Sequence, residues 1–227
     1  MDRLALLRRY GDDIARLATP SNLERRVPSC PDWTLGDLVY HLGEVQSFWA
    51  GNLLARDATG RVERDRDVAQ PDDEGLGAWF ASCASELRAA LEEVGDRAPC
   101  WTWWGEPATS GAVARHQVHE AAIHHYDAHL ALGEHVVLDP EVAQDGIDEF
   151  LEVHRDELVM PEGATVILRS LDAERRWRLG SGPSLTEVTG THSQLALLLN
   201  GRLTPAELSV AGDEGALLEW LRSVDLT

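Results

Sequence analysis

"RHQVHEAAIHHYDAHLALGEH", residues 115–135, gathers six of the chain's nine histidines, and reading it as a helix sets the architecture around it. At roughly 100° per residue, His116, Glu120, His124 and Asp127 share one face. His119, His125 and His129 point away from that line and read as surface residues. His135 falls after Gly133, past the expected end of the helix.

Outward from this stretch, apolar periodicity predicts three earlier helices. Leu4, Leu7, Ile14 and Leu17 form a stripe in the first. "PDWTLGDLVYHLGEVQSFWAGNLL" starts the second, with Thr34 and Asp37 spaced as a capping box. "GLGAWFASCASELRAALEEV" is the third. A charged loop, residues 56–75, joins the second to the third, and an aromatic loop, "APCWTWWGEPATS", precedes the histidine helix. Four helices with such connections predict a bundle, whose polar sites are built from facing helices.

After Gly133 the pattern changes. A further helix over residues 140–158 precedes three short strands, "ATVILRSLD", "RRWRLG" and "SLTEVTG". A helix N-capped by Thr191, a strand in "AELSV" and a closing helix over 213–224 follow. The expectation is an α+β protein with a helical domain over 1–135 and a small α+β domain over 136–227.

The 227 residues are enough for a sizeable core. A net charge of −19 repels phosphate backbones and anionic lipid heads, which disfavours nucleic acid and membranes as partners. Cys30, Cys83 and Cys100 form no C-x-x-C pair and read as free thiols in a reducing compartment. The N-terminal "MDRLALLRRYGDDIARL" is charged throughout, unlike a secretory or spanning segment, so a cytoplasmic location is expected. Oligomeric state is left open.

On a helix, E-x-x-x-H sets a carboxylate and an imidazole one turn apart, as two ligands of one divalent ion require. A third ligand must then come from a neighbouring helix, and His41, beside the stripe of Leu38, Leu42 and Val45, faces the expected bundle interior. Spacing alone leaves other readings open: an i,i+4 charge pair for Glu120 and His124, and a hydrogen-bonded core residue for His41.

Two segments together resemble the mycothiol-dependent maleylpyruvate isomerase family, part of the DinB-like superfamily of four-helix bundles. "VPSCPDWTLGDLVYHLGEVQSFWA" is similar to its C-P-x-W-S/T-x-x-D-L-x-x-H pattern through Cys30, Pro31, Trp33, Thr34, Asp37, Leu38 and His41. "ARHQVHEAAIHHYDAHLALG" is similar to its H-E-x-x-x-H-x-x-D-A pattern through His119, Glu120, His124, Asp127 and Ala128. The tail "HSQLALLLNGRLTPAELSVAGDEGALLEWL" resembles the family's small C-terminal α+β domain. His125 and Tyr126 depart from it, standing where Arg and Trp are usual.

The resemblance implies His41, Glu120 and His124 as ligands of a divalent metal, usually zinc, with mycothiol as thiol cosubstrate at the open position. A thiol ligated by zinc is deprotonated near neutral pH. Its addition to an activated cis double bond, rotation and elimination isomerise the substrate, while S-transfer needs the same sulfur. Arg202 is the implied cation for an anionic substrate, against an alternative of capping helix carbonyls; Arg169 and Arg178 are weaker candidates. Trp101, Trp103 and Trp104 are candidates to wall the thiol or substrate pocket, or else to cover the bundle core. Asp127 is expected to orient His124 through its other ring nitrogen. Competing readings on the same fold are a metal-assisted hydrolase with Glu44 offered as base, and a non-catalytic metal- or ligand-binding protein.

Overall fold

The computed structural model describes residues 1–62 and 71–224, so residues 63–70 of the charged loop read above lie outside the described residues. The chain divides into two compact units, Met1–Val136 and Val137–Thr227. The fold is α+β, a helical bundle followed by a smaller α+β unit.

In the first unit, α1 (Arg3–Leu17) is followed by a single turn, α2 (Pro20–Leu23), and a small hairpin of β1 (Arg26–Val27) and β2 (Cys30–Thr34). The hairpin was not foreseen, because two- and five-residue strands are too short for alternation to register. Residues 31–33, read above as the start of the second helix, therefore belong to a strand that opens at Cys30. Then come α3 (Leu35–Ala55), α4 (Leu76–Val94) and α5 (Ser110–Ala131).

Thr34 caps α3 as the sequence predicts: its hydroxyl accepts from the Asp37 N–H, and the Asp37 carboxylate accepts from the Thr34 N–H. Helix α5 ends at Gly133, whose φ of 77° is readily adopted without a side chain. Helices α1 and α3 each pack against α4 and α5, so the order round the bundle is α1, α4, α3, α5. Ile14, Leu17, Leu38, Leu42, Leu76, Phe80, Ala84 and Ala128 bring all four into one core. Helix α4 approaches α3 closely at Gly43, where a Cβ would meet the Trp79 ring at 2.2 Å.

Burial on α5 corrects the reading of its histidines. His119, His124 and His129 are buried and His125 is half-buried; only His135, past the helix end, is exposed among those expected at the surface. The helix is buried round most of its circumference, so a polar residue on it is not thereby on the solvent side.

The second unit begins with α6 (Pro140–Val153). Strands β3 (Ala164–Ser170), β4 (Arg176–Gly180) and β5 (Ser184–Gly190), helix α7 (His192–Leu199), strand β6 (Ser209–Ala211) and helix α8 (Glu214–Leu221) follow. The sheet order is β4–β3–β5–β6, with β3 and β5 parallel and the outer pairs antiparallel. The strand read in "AELSV" starts only at Ser209, because Pro205–Glu207 close a 3-10 turn capped by Thr204. Val166, Leu168, Val188, Leu195, Leu217 and Trp220 form the buried core of this unit. No helix among the described residues is long and apolar enough to cross a membrane.

Candidate metal centre

The capping box that starts α3 fixes the phase of that helix, and His41 lies on the face turned to α5. The structure brings His41, Glu120 and His124 together, their ligand atoms all within 4.8 Å of one another. Glu120 Oε1 lies 3.5 Å from His41 Nε2 and 3.4 Å from His124 Nε2. Metal–ligand bonds of about 2.0–2.2 Å in tetrahedral geometry separate ligand atoms by about 3.3–3.6 Å, so these separations suit one ion. Two imidazole nitrogens and a carboxylate are a donor set for zinc or a similar divalent ion, with a coordination position left over.

The atoms behind His124 reinforce that fit. Its Nδ1 is 2.9 Å from Asp127 Oδ2, and the Asp127 carboxylate is fully buried. Ser29, in the turn of the β1–β2 hairpin, donates to the other oxygen, Oδ1, at 2.6 Å. Asp127 thus keeps a hydrogen on Nδ1 and turns Nε2 towards Glu120, where it carries a proton near neutrality in the metal-free protein and would give that proton up to ligate an ion. Asp127 was anticipated from helix spacing. Ser29 was missed, and no local signal marks a serine 98 residues away. Trp33, at the end of the same hairpin, covers the cluster, its ring 4.8 Å from His41 and 6.3 Å from His124.

Burial would raise the Glu120 pKa, but hydrogen bonds with His124 and His41 outweigh it and hold the carboxyl well below its ordinary range. Burial would likewise lower the His124 pKa, yet the hydrogen bonds with Asp127 and Glu120 lift it to about 9. A histidine raised above its unfolded value of 6.5 stabilises the fold fully below that pH, and the contribution disappears as pH rises towards 9. Protein stripped of divalent ions is therefore expected to lose thermal stability between pH 6.5 and 9. His124→Ala should flatten that slope in thermal scans across the window. An equally steep slope in the variant would remove His124 as its cause.

The aromatic loop packs on the bundle and on His116 together, with Trp104 touching both the buried Trp49, at 5.8 Å, and His116. Trp103 and Trp104 lie against His116, with ring centroids 5.9 and 4.9 Å away. His116 sits one turn before Glu120 and adds to the pull on its carboxyl. Trp101 turns to Phe48 and to the buried Trp49, each 6.2 Å away. In the second unit, Arg202 follows α7, and its Nη1 donates to the Asn200 carbonyl at 2.7 Å. That is the capping contact weighed against a catalytic one. Arg169 is paired with Glu187 at 3.0 Å, and Arg178 reaches Thr165 Oγ1 at 3.5 Å. Burial pushes the Cys83 and Cys100 thiols up to about 11, so neither supplies a thiolate near neutrality.

The family model described as the mycothiol maleylpyruvate isomerase N-terminal domain matches residues 4–129, and the MDMPI C-terminal domain matches residues 141–219. Two solved structures share the fold: a mycothiol-dependent maleylpyruvate isomerase, at 16% identity with a TM-score of 0.72, and its histidine-to-alanine mutant, at 15% and 0.73. Each alignment covers 92% of both chains. No curated protein matches the chain.

Proposed function

The chain belongs to the mycothiol maleylpyruvate isomerase family, and from that membership we propose a metal-dependent enzyme that uses mycothiol to isomerise a small electrophile or to form a mycothiol S-conjugate with it. The observation that carries this reading is the convergence of His41, Glu120 and His124 with Asp127 and Ser29 behind them. A divalent ion, zinc by donor set, would supply the Lewis acidity that keeps an added thiol deprotonated near neutral pH.

The chain's own residues account for the rest. His41, Glu120 and His124 bind the ion, and Asp127 holds the proton on His124 Nδ1. Trp33 keeps bulk water from one side of the cluster, which strengthens charge interactions there. We assign Trp103 and Trp104, beside His116, to the wall of the thiol pocket, with Trp101 bracing the loop from the bundle side. Arg202 is our candidate counter-charge for an anionic substrate, supported by the resemblance of the "LLLNGR" segment. Isomerisation and S-transfer start from the same activated sulfur, so substrate screening must distinguish them.

Elemental analysis of the wild type and His41→Ala, followed by calorimetric titration with mycothiol, tests the reading. The expected result is one fewer equivalent of metal in the variant and no thiol binding. Unchanged metal content would end the proposal; metal bound without thiol binding would favour the hydrolase or the binding protein.

A further inference from the structure

Helix α5 carries a second cluster that the site above does not use. Asp13 on α1 meets His125 and His129 on α5, one turn apart. Asp13 Oδ2 is 2.8 Å from His125 Nε2 and 2.9 Å from His129 Nε2, and the two nitrogens are 3.2 Å from each other. The separation of the two nitrogens matches the edge of about 3.3 Å expected for a tetrahedron with bonds of about 2.0 Å, while the two contacts to Asp13 are shorter than that edge, so an ion would press the carboxylate slightly outward.

The remaining polar atoms orient the three donors inward. His129 Nδ1 is 2.6 Å from Glu134 Oε2, just past the end of α5, so that carboxylate holds a hydrogen on Nδ1 and turns the Nε2 lone pair towards Asp13. Carboxylates behind ligating histidines have this role in metal sites. The Arg16 guanidinium bonds Asp13 Oδ1, which leaves Oδ2 as the inward donor. His129 is 8% exposed and His125 17%, and the Tyr10 ring lies 5.1 Å from His125. When both imidazoles are neutral, with His129 protonated on Nδ1, no hydrogen can satisfy all three close contacts at once. A shared cation can.

We propose that Asp13, His125 and His129 form a second divalent-metal site, of zinc type by donor set, that ties α1 to α5 independently of the proposed active centre. The competing occupant is a proton: a doubly protonated His129 bridging Asp13 and Glu134.

The test uses the full chain, stripped with a chelator and titrated with Zn²⁺ alone, with bound metal counted by elemental analysis. The expected result is two equivalents in the wild type, one in His41→Ala, one in Asp13→Asn and none in the double variant. Zn²⁺ should also raise the thermal midpoint of His41→Ala, a readout that needs no activity and no folded Asp13 variant. One equivalent in the wild type, lost in His41→Ala and kept in Asp13→Asn, would overturn this site and leave the proposed function standing. One equivalent kept in His41→Ala and lost in Asp13→Asn would support this site and overturn the other. No metal in any protein would overturn both. If Asp13→Asn fails to fold, His125→Gln replaces it, and His41→Ala decides alone through its remaining equivalent and its midpoint.

Discussion

Replacing Glu120 by alanine is expected to lower mycothiol-dependent turnover by about 10³-fold or more and to remove one equivalent of bound metal. Glu120 is the carboxylate common to both contacts in the cluster, with His41 on one side and His124 on the other. Its loss leaves two imidazoles, too few donors for a stable site, and removes the negative charge that balances the ion. Metal stabilisation of developing charge is worth several kcal/mol, and each 1.36 kcal/mol is tenfold in rate. Asp127→Asn should give a graded result: all three ligands stay, the orientation of His124 is loosened, and metal affinity drops by about 10–100-fold. Steady-state kinetics and metal competition against a chelator would measure both. Turnover in Glu120→Ala within tenfold of wild type would mean that the reaction does not depend on this cluster.

Phe80→Ala is expected to destabilise the protein by about 3–5 kcal/mol. Phe80 is fully buried on α4, in the apolar cluster that includes residues of α1, α3 and α5. Truncation loses the transfer free energy of the ring and leaves a cavity that four packed helices close only in part. Ala128, in the same cluster, is the residue after Asp127, so a loosened core also loosens the helix that carries Glu120 and His124. Urea unfolding followed by circular dichroism should show a lower midpoint with an unchanged slope. A midpoint within experimental error of wild type would show that the bundle does not depend on that ring.

Much of this architecture is readable residue by residue. The period of 3.6 marks the long helices, the Thr34–Asp37 pair marks where α3 begins, Thr191 marks the cap of the short α7, and Gly133 marks where α5 stops. The same period places Glu120, His124 and Asp127 on one face, because one turn of helix is a local and nearly invariant geometry. The β1–β2 hairpin escaped, since its strands are too short to show a period, and with it went Ser29 and the approach of Trp33 to His41 and His124. The start of β6 was misplaced because a capped 3-10 turn and a strand start look alike over three residues.

The histidines of α5 mark the boundary between the two kinds of information. Which of them share a face follows from the chain alone. Which faces are buried depends on the helices that surround α5, and periodicity within one helix carries no record of its neighbours. His129 and His125 meet a carboxylate that is 116 and 112 residues earlier in the chain, and the Asp127 that orients His124 accepts from a serine in a hairpin turn. Such contacts arise from packing between distant segments: local periodicity sets the helices and lines up candidate ligands along one of them, and long-range packing selects the donors that converge.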